Sequence, residues 1–299
     1  MRVVVIGGGF AGLAAAITLQ ERRHDVLLLE RRGVLGGRAT SYRDAVSGED
    51  VDNGTHVMIG AYRATLDLVR RAGGGDLLLE QDDLRLDYVD DGGMSSLDCP
   101  PLPAPLHLLA GIAGLRVPWR ARLQAMRFGL AARFGAPPDG LTLAEWFRRT
   151  GQGKDARALL WDPLATAILN ETPERSAAAL FHRVFREAFL RDHRDSRLVF
   201  LRRGFAELHE RLARYFQARG GQLARRALAE SIALRDGRVA GVRYLQRPQE
   251  RRQVQQGEPG EAREREADAV VAAVPWHALG TLLPEEWRAR APFDAVARL

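Results

Sequence analysis

The chain has 299 residues, 46% of them hydrophobic, which is enough to bury one large core or two modest ones. Its formal charge is +6, yet Lys154 is the sole lysine among 44 basic residues; this is an arginine bias of composition, not the mark of a basic groove, and no nucleic-acid partner is expected. Cys99 stands alone, which excludes a disulfide framework and suits a reducing compartment.

Val3-Val4-Val5-Ile6 is a short apolar β-branched run, as a buried parallel strand requires. Gly7-x-Gly9-x-x-Gly12 follows, then the small-residue helix Leu13–Leu19, then a second apolar strand, Val26–Leu29, ending in Glu30. Gly7 makes the tight turn, Gly9 admits a pyrophosphate to the backbone, and Gly12 lets helix and strand pack closely. The N–H groups and dipole of the helix start favour anionic phosphates. Glu30, eighteen positions after Gly12, suits an adenosine ribose and repels a 2′-phosphate, so FAD or NAD is expected over NADP.

Leu35-Gly36-Gly37-Arg38-x-x-Ser41 comes next; paired glycines permit a turn against a phosphate, and Arg38 can neutralise its charge. Val51–His56 reads as a strand end and turn, Ala61–Ala72 as a helix, and Leu84–Leu97 as a hairpin around Asp90-Asp91-Gly92-Gly93. From Pro105 to about Phe189 the pattern is mostly helical, with starts predicted at Thr142 and at Thr172-Pro173-Glu174. Asp162 reads as a helix cap, and Phe181, Phe185 and Phe189 as a core stripe. Phe205–Arg219 is amphipathic and closes at Gly220-Gly221, and Asp236-Gly237 joins strands at Ser231–Arg235 and Val239–Leu245. Arg247–Glu266, charged and nearly free of apolar residues, predicts a mobile loop, and Asp268–Pro275 a last buried strand. The histidines show no metal-ligand spacing, so no metal site is expected.

This order predicts an α/β fold. A Rossmann-type nucleotide-binding domain, a parallel sheet with helices on both faces, comes from residues 1–60 and 198–275, with a mostly helical substrate domain, 61–197, inserted. Residues 276–299 begin a return to the substrate domain. No apolar run reaches spanning length and Met1 leads straight into the first strand, so a cytoplasmic protein is expected. The apolar segment Pro100–Leu115 with Trp119-Arg120 suggests a peripheral membrane contact, or else a core helix of the inserted domain.

The run from Val3 to Ser41 resembles the FAD-binding signature of the flavin amine oxidase and carotenoid desaturase superfamily, with Arg23 standing where that superfamily usually has a capping glycine. Three blocks resemble, more narrowly, the hydroxysqualene dehydroxylase family of bacteria: Asp52-Asn53-Gly54-Thr55-His56 with Gly60-Ala61-Tyr62, the proline-rich stretch 100–109, and Trp161-x-Pro163-Leu164 with Leu169-Asn170 and Pro173-Glu174. The resemblance implies FAD as cofactor, held by Gly7, Gly9, Phe10, Ala11, Gly12, Glu30, Arg31, Gly36, Gly37, Arg38, Asn53, Gly54, Ala229 and Val274. It implies reductive dehydroxylation of hydroxysqualene to squalene, an isoprenoid substrate, and His56 or Asp52 as the acid. It also implies a further antiparallel sheet and an Asp-containing flavin segment beyond Pro275. The residues themselves leave open a carotenoid (phytoene-type) desaturase, a flavin amine oxidase, or a non-catalytic nucleotide-binding chain.

Overall fold

The computed structural model describes residues 1–54, 56–90, 93–248 and 260–298, which divide into two compact units. The first comprises residues 1–56, 67–78 and 201–299, the second residues 57–66 and 79–200. Residues 67–78 thus join the nucleotide-binding unit instead of the inserted one. Long-range contacts explain it: Arg71 pairs with Glu21, Arg211 with Asp76, and Arg202 N–H donates to the Leu77 carbonyl.

In the first unit, four strands form a parallel sheet in the spatial order Gln222–Arg225, Asp25–Glu30, Arg2–Ile6, Ala269–Ala272. Period-2 alternation sends Val4, Ile6, Leu27 and Leu29 to one face, where they pack with Ala227, Ile232 and Val242 of an antiparallel sheet and with Leu282 of the Trp276–Leu282 helix. The helices Phe10–Glu21 and Phe205–Ala218 pack against each other, burying Leu13, Ala16 and Ile17 from one and Leu208, Leu212 and Phe216 from the other. Ala269–Ala272, predicted as a buried strand, is half-buried throughout, because it lies at the sheet edge.

The antiparallel sheet runs Ala227–Arg235, Arg238–Gln246, Glu261–Glu266. Asp236 and Gly237 both have positive φ, 54° and 71°, as the predicted hairpin turn demands. The predicted mobile loop is corrected in part. Glu261–Glu266 is an edge strand, since backbone pairing to Arg238–Gln246 needs no apolar side chains and the cross-strand pair Arg243–Glu264 matches opposite charges. Residues 249–259 of that stretch, Asp91 and Gly92 of the first hairpin, and Thr55 lie outside the described residues. The first helix ends as Arg23 N–H and His24 N–H donate to Gln20 and Leu19 carbonyls, with Arg23 itself at φ 63°. This is the left-handed cap position that favours glycine.

The second unit is mostly helical: Leu106–Gly114, Trp119–Phe134, Leu143–Arg149, a helix from Lys154 to Leu169 with a π turn at Arg157–Trp161, and Ala178–Phe189. Phe128 centres its core, with the rings of Trp161, Trp146 and Phe147 at 4.6, 4.7 and 5.4 Å. Phe181 and Phe185 join it as expected. Thr142 caps the Leu143–Arg149 helix through a reciprocal bond with Glu145. Thr172-Pro173-Glu174 is a turn and not a helix start, because Ala177 is held extended by its bridge to Thr142. Asp162 is not a cap either; the helix is continuous there, and the carboxylate receives a two-pronged bond from Arg157 at 3.0 and 3.1 Å. Helix Leu106–Gly114 buries His107, Leu108, Gly111 and Ile112 against its own unit, so this part of the suspected membrane segment is a core element. Among the described residues no helix is long and apolar enough to cross a membrane.

Candidate functional site: a dinucleotide cradle

The cradle grows from the strand–turn–helix at the start of the chain. At Gly7, with φ 106°, an added Cβ would lie 2.4 Å from the Ala273 carbonyl oxygen, and at Gly12 it would lie 1.7 Å from the Gly7 oxygen. Only glycine fits either position. Gly9 differs: a Cβ there would meet Gly36 and Gly37 atoms no closer than 3.7 Å, so protein packing alone does not demand glycine. What Gly9 offers is a bare backbone at the N-cap of the Phe10–Glu21 helix, with no side chain capping the first turn. Its N–H groups are therefore available to an anion, which is the fit expected for a pyrophosphate.

A second glycine loop lies beside the first. Gly36 N–H donates to the Gly8 oxygen at 2.9 Å, and Gly36 and Gly37 have φ of 110° and 61°. Arg32 spans this loop, donating to the Gly37 carbonyl at 2.6 Å. The sequence reading placed Arg31 here; Arg31 is exposed, and its neighbour Arg32 is the one tied into the loop. Arg38 is exposed, with its guanidinium unpaired among the described residues. Glu30 is 5% exposed and accepts from Gly8 N–H at 2.7 Å and from Arg32 N–H at 2.8 Å, so the predicted ribose acceptor also locks both turns. Each oxygen keeps a lone pair for a hydroxyl and none of the donors a 2′-phosphate would need.

Asn53 is a clamp. Its Oδ1 accepts from Thr40 N–H at 3.1 Å, its Nδ2 donates to the Arg38 carbonyl at 2.8 Å, and its own N–H donates to the Thr40 oxygen at 2.9 Å. Both ends of the amide thus hold the Gly36–Thr40 segment. Asp52 caps a helix far along the chain: its Oδ1 accepts from Ser41 Oγ at 2.5 Å and from Phe205 N–H at 3.0 Å, while Ser41 Oγ accepts from Ala206 N–H at 2.9 Å. Gly204 leaves the room for it, since a Cβ would sit 2.7 Å from Ser41 Oγ. His56 is exposed, 3.2 Å from Asn53 Oδ1 and edge-on to Phe205. Asn53 and Gly54 lie in a bend.

Phe10, Phe205 and His209 form an aromatic floor, with Phe10 4.6 Å from the His209 ring. His209 lies directly beneath Gly36, whose absent Cβ would be 3.1 Å from the ring. Its Nδ1 is 2.6 Å from the Phe205 carbonyl and its Nε2 is buried without a partner among the described residues. Burial pushes its pKa down to about 4, so the ring is neutral and Nδ1 is the donor. Sequence reasoning missed Ser41's role, Gly204 and His209, because their partners lie up to 199 positions away. Val274 comes within 3.7 Å of the Gly7 Cβ position, and Ala11 is exposed on the helix start. Ala229 lies on the first strand of the antiparallel sheet, packed on the core beside the parallel strands.

The flavin-containing amine oxidoreductase family matches residues 10–299. The chain belongs to this family. FAD is its cofactor, and the two glycine loops, Glu30 and the uncapped helix start are the parts that fit it. The chain is 31% identical, over its full length and 63% of the relative, to a protein named "Probable zeta-carotene desaturase" in Synechococcus elongatus. It is 27% identical to the 15-cis-phytoene desaturase of the same organism, over 99% of the chain and 62% of that protein. The chain therefore spans less than two thirds of these relatives. Among solved structures, an oxidoreductase from Methanosarcina mazei superposes with a TM-score of 0.70 at 17% identity, covering 100% of this chain and 65% of that one. Cyclohexylamine oxidase from Brevibacterium oxydans gives 0.61 at 18%, covering 99% and 62%. At such identities these two show the fold.

Proposed function

We propose that the protein is an FAD-dependent oxidoreductase of a long-chain isoprenoid, and that its reaction is desaturation of a carotene-type polyene. The observation that carries this is the 31% identity, along the entire chain, to a relative named as a zeta-carotene desaturase. FAD, when bound, supplies a two-electron acceptor. The chain's own residues do the rest. The helix start at Gly9 and Arg38 hold the pyrophosphate, Glu30 holds the ribose, and Asn53 keeps the glycine loop in register. Of the two candidate proton-handling groups, Asp52 is committed to Ser41 and Phe205, which leaves His56, exposed and adjacent to the clamp, as the group to receive or deliver a proton.

Reductive dehydroxylation of hydroxysqualene is the second reading, favoured by the Asp52–Tyr62 and Trp161–Glu174 blocks of the sequence. The two readings run the flavin in opposite directions. Anaerobic incubation of the full-length protein with oxidised FAD and a phytoene-type polyene, followed by product analysis, tests the first. A more unsaturated product with bleached flavin supports it. Squalene formed from hydroxysqualene and reduced FAD, with no polyene oxidation, overturns it in favour of the second. A Gly9→Asp variant that no longer binds FAD serves as the control in both arms.

A further inference from the structure

The helix Trp119–Phe134 carries two apolar faces. One, formed by Ala121, Ala125, Phe128 and Ala132, is buried in its own unit. At 3.6 residues per turn the opposite side presents Trp119, Leu123, Leu130 and Phe134, which are 65%, 55%, 45% and 81% exposed. Scattered exposed leucines need no explanation, but four large apolar side chains along one stripe of one helix do. The stripe is edged by arginines on both flanks, Arg120 and Arg127 on one side and Arg133 on the other, all exposed. The guanidinium of Arg120 lies 5.4 Å from the Trp119 ring and that of Arg133 lies 5.7 Å from the Phe134 ring.

The charge around the stripe is one-sided. From Cys99 to Pro138 the sequence has no Asp or Glu, though the chain has 38 of them, and in the same stretch it has five arginines. An apolar stripe with basic edges and an aromatic at each end is complementary to one kind of surface: hydrocarbon at the centre and anionic headgroups at the rim. We infer that the outer face of the Trp119–Phe134 helix is a docking surface for an anionic lipid bilayer, lying in the interface plane. The helix lies flat and does not cross, since it is charged on both flanks and 16 residues long. This inference rests on the helix alone and does not depend on which isoprenoid is the substrate.

Flotation of the protein, purified with FAD, on vesicles of phosphatidylcholine alone or with phosphatidylglycerol tests it. The wild type is expected to float with the phosphatidylglycerol vesicles and to be released by salt. Leu123→Asp with Leu130→Asp is expected to lower partitioning at least tenfold. Arg120→Glu, Arg127→Glu and Arg133→Glu should each lower it about fivefold or more, the effect of losing one cation near an anionic surface. Leu180→Asp, equally exposed on another helix of the same unit, is the comparator and should float as wild type. FAD titration shows that each variant is folded. Absence of flotation by the wild type overturns the inference, as does flotation that the stripe variants leave unchanged. A concentration-dependent dimer that Leu123→Asp with Leu130→Asp abolishes, without vesicle binding, overturns it too and assigns the face to a second copy of the chain.

Discussion

Replacing Asn53 by alanine is expected to weaken FAD binding about fivefold to thirtyfold. The amide makes two side-chain hydrogen bonds to the loop, to Thr40 N–H at 3.1 Å and to the Arg38 carbonyl at 2.8 Å. Neither is deeply buried, so each contributes at the lower end of the net range, roughly 0.5–1 kcal/mol. Together they hold the Gly36–Arg38 loop in its cradle geometry by about 1–2 kcal/mol. FAD requires that geometry, so the loss appears in its Kd at about tenfold per 1.4 kcal/mol. Asn53→Asp separates shape from chemistry. It keeps an acceptor for Thr40 N–H but turns the donor facing the Arg38 carbonyl into a second acceptor, so it should bind FAD no better than the alanine variant. Titration of apoprotein into FAD, followed by flavin fluorescence at fixed ionic strength, measures both. An unchanged Kd in both variants would refute the clamp, and a lowered Tm with unchanged Kd would reduce Asn53 to a structural role.

Arg23 at φ 63° is strained where glycine is not, so Arg23→Gly should stabilise by about 0.5–1 kcal/mol after the glycine's greater unfolded-state entropy is subtracted, a rise of a few degrees or less in Tm; a fall in Tm would contradict the cap assignment. His209 has a folded pKa of about 4 against 6.5 when unfolded, so the unfolded state binds more protons between those values. Stability should therefore be level above pH 6.5 and decline as pH falls toward 4, by a total on the order of 3 kcal/mol, and His209→Gln should flatten that slope in Tm-versus-pH curves. Burial raises the Cys99 thiol to about 12, so thiol-specific reagents at pH 8 should label it only after denaturation, and rapid labelling of the native protein would contradict its burial.

Much of the nucleotide-binding half is legible locally. Val3–Ile6 and Val26–Leu29 read as strands because they are short, wholly apolar runs on either side of the glycine turn and its helix, Gly12 must be glycine because the Gly7 oxygen occupies its Cβ position, and Asp236-Gly237 must turn because both residues take positive φ. These are rules of near neighbours, readable within about ten residues. The job of a polar side chain is different, because it depends on which distant donor the fold delivers. Asp52 became a cap because the fold brings Phe205 to it across 153 positions, and Asn53 a clamp because the glycine loop folds back over it. Asp162 lost its cap role to an arginine one turn away that the continuous helix placed in reach. Glu261–Glu266 is a strand only because Arg238–Gln246 presents an unpaired edge, and no pattern in its own charged side chains demands one. Local sterics and hydrophobic periodicity are properties of the chain itself. Hydrogen-bond partnership and exposure belong to the assembled surface, which is why tertiary structure alone made Asn53 a loop clamp and left the outer stripe of Trp119–Phe134 uncovered among the described residues.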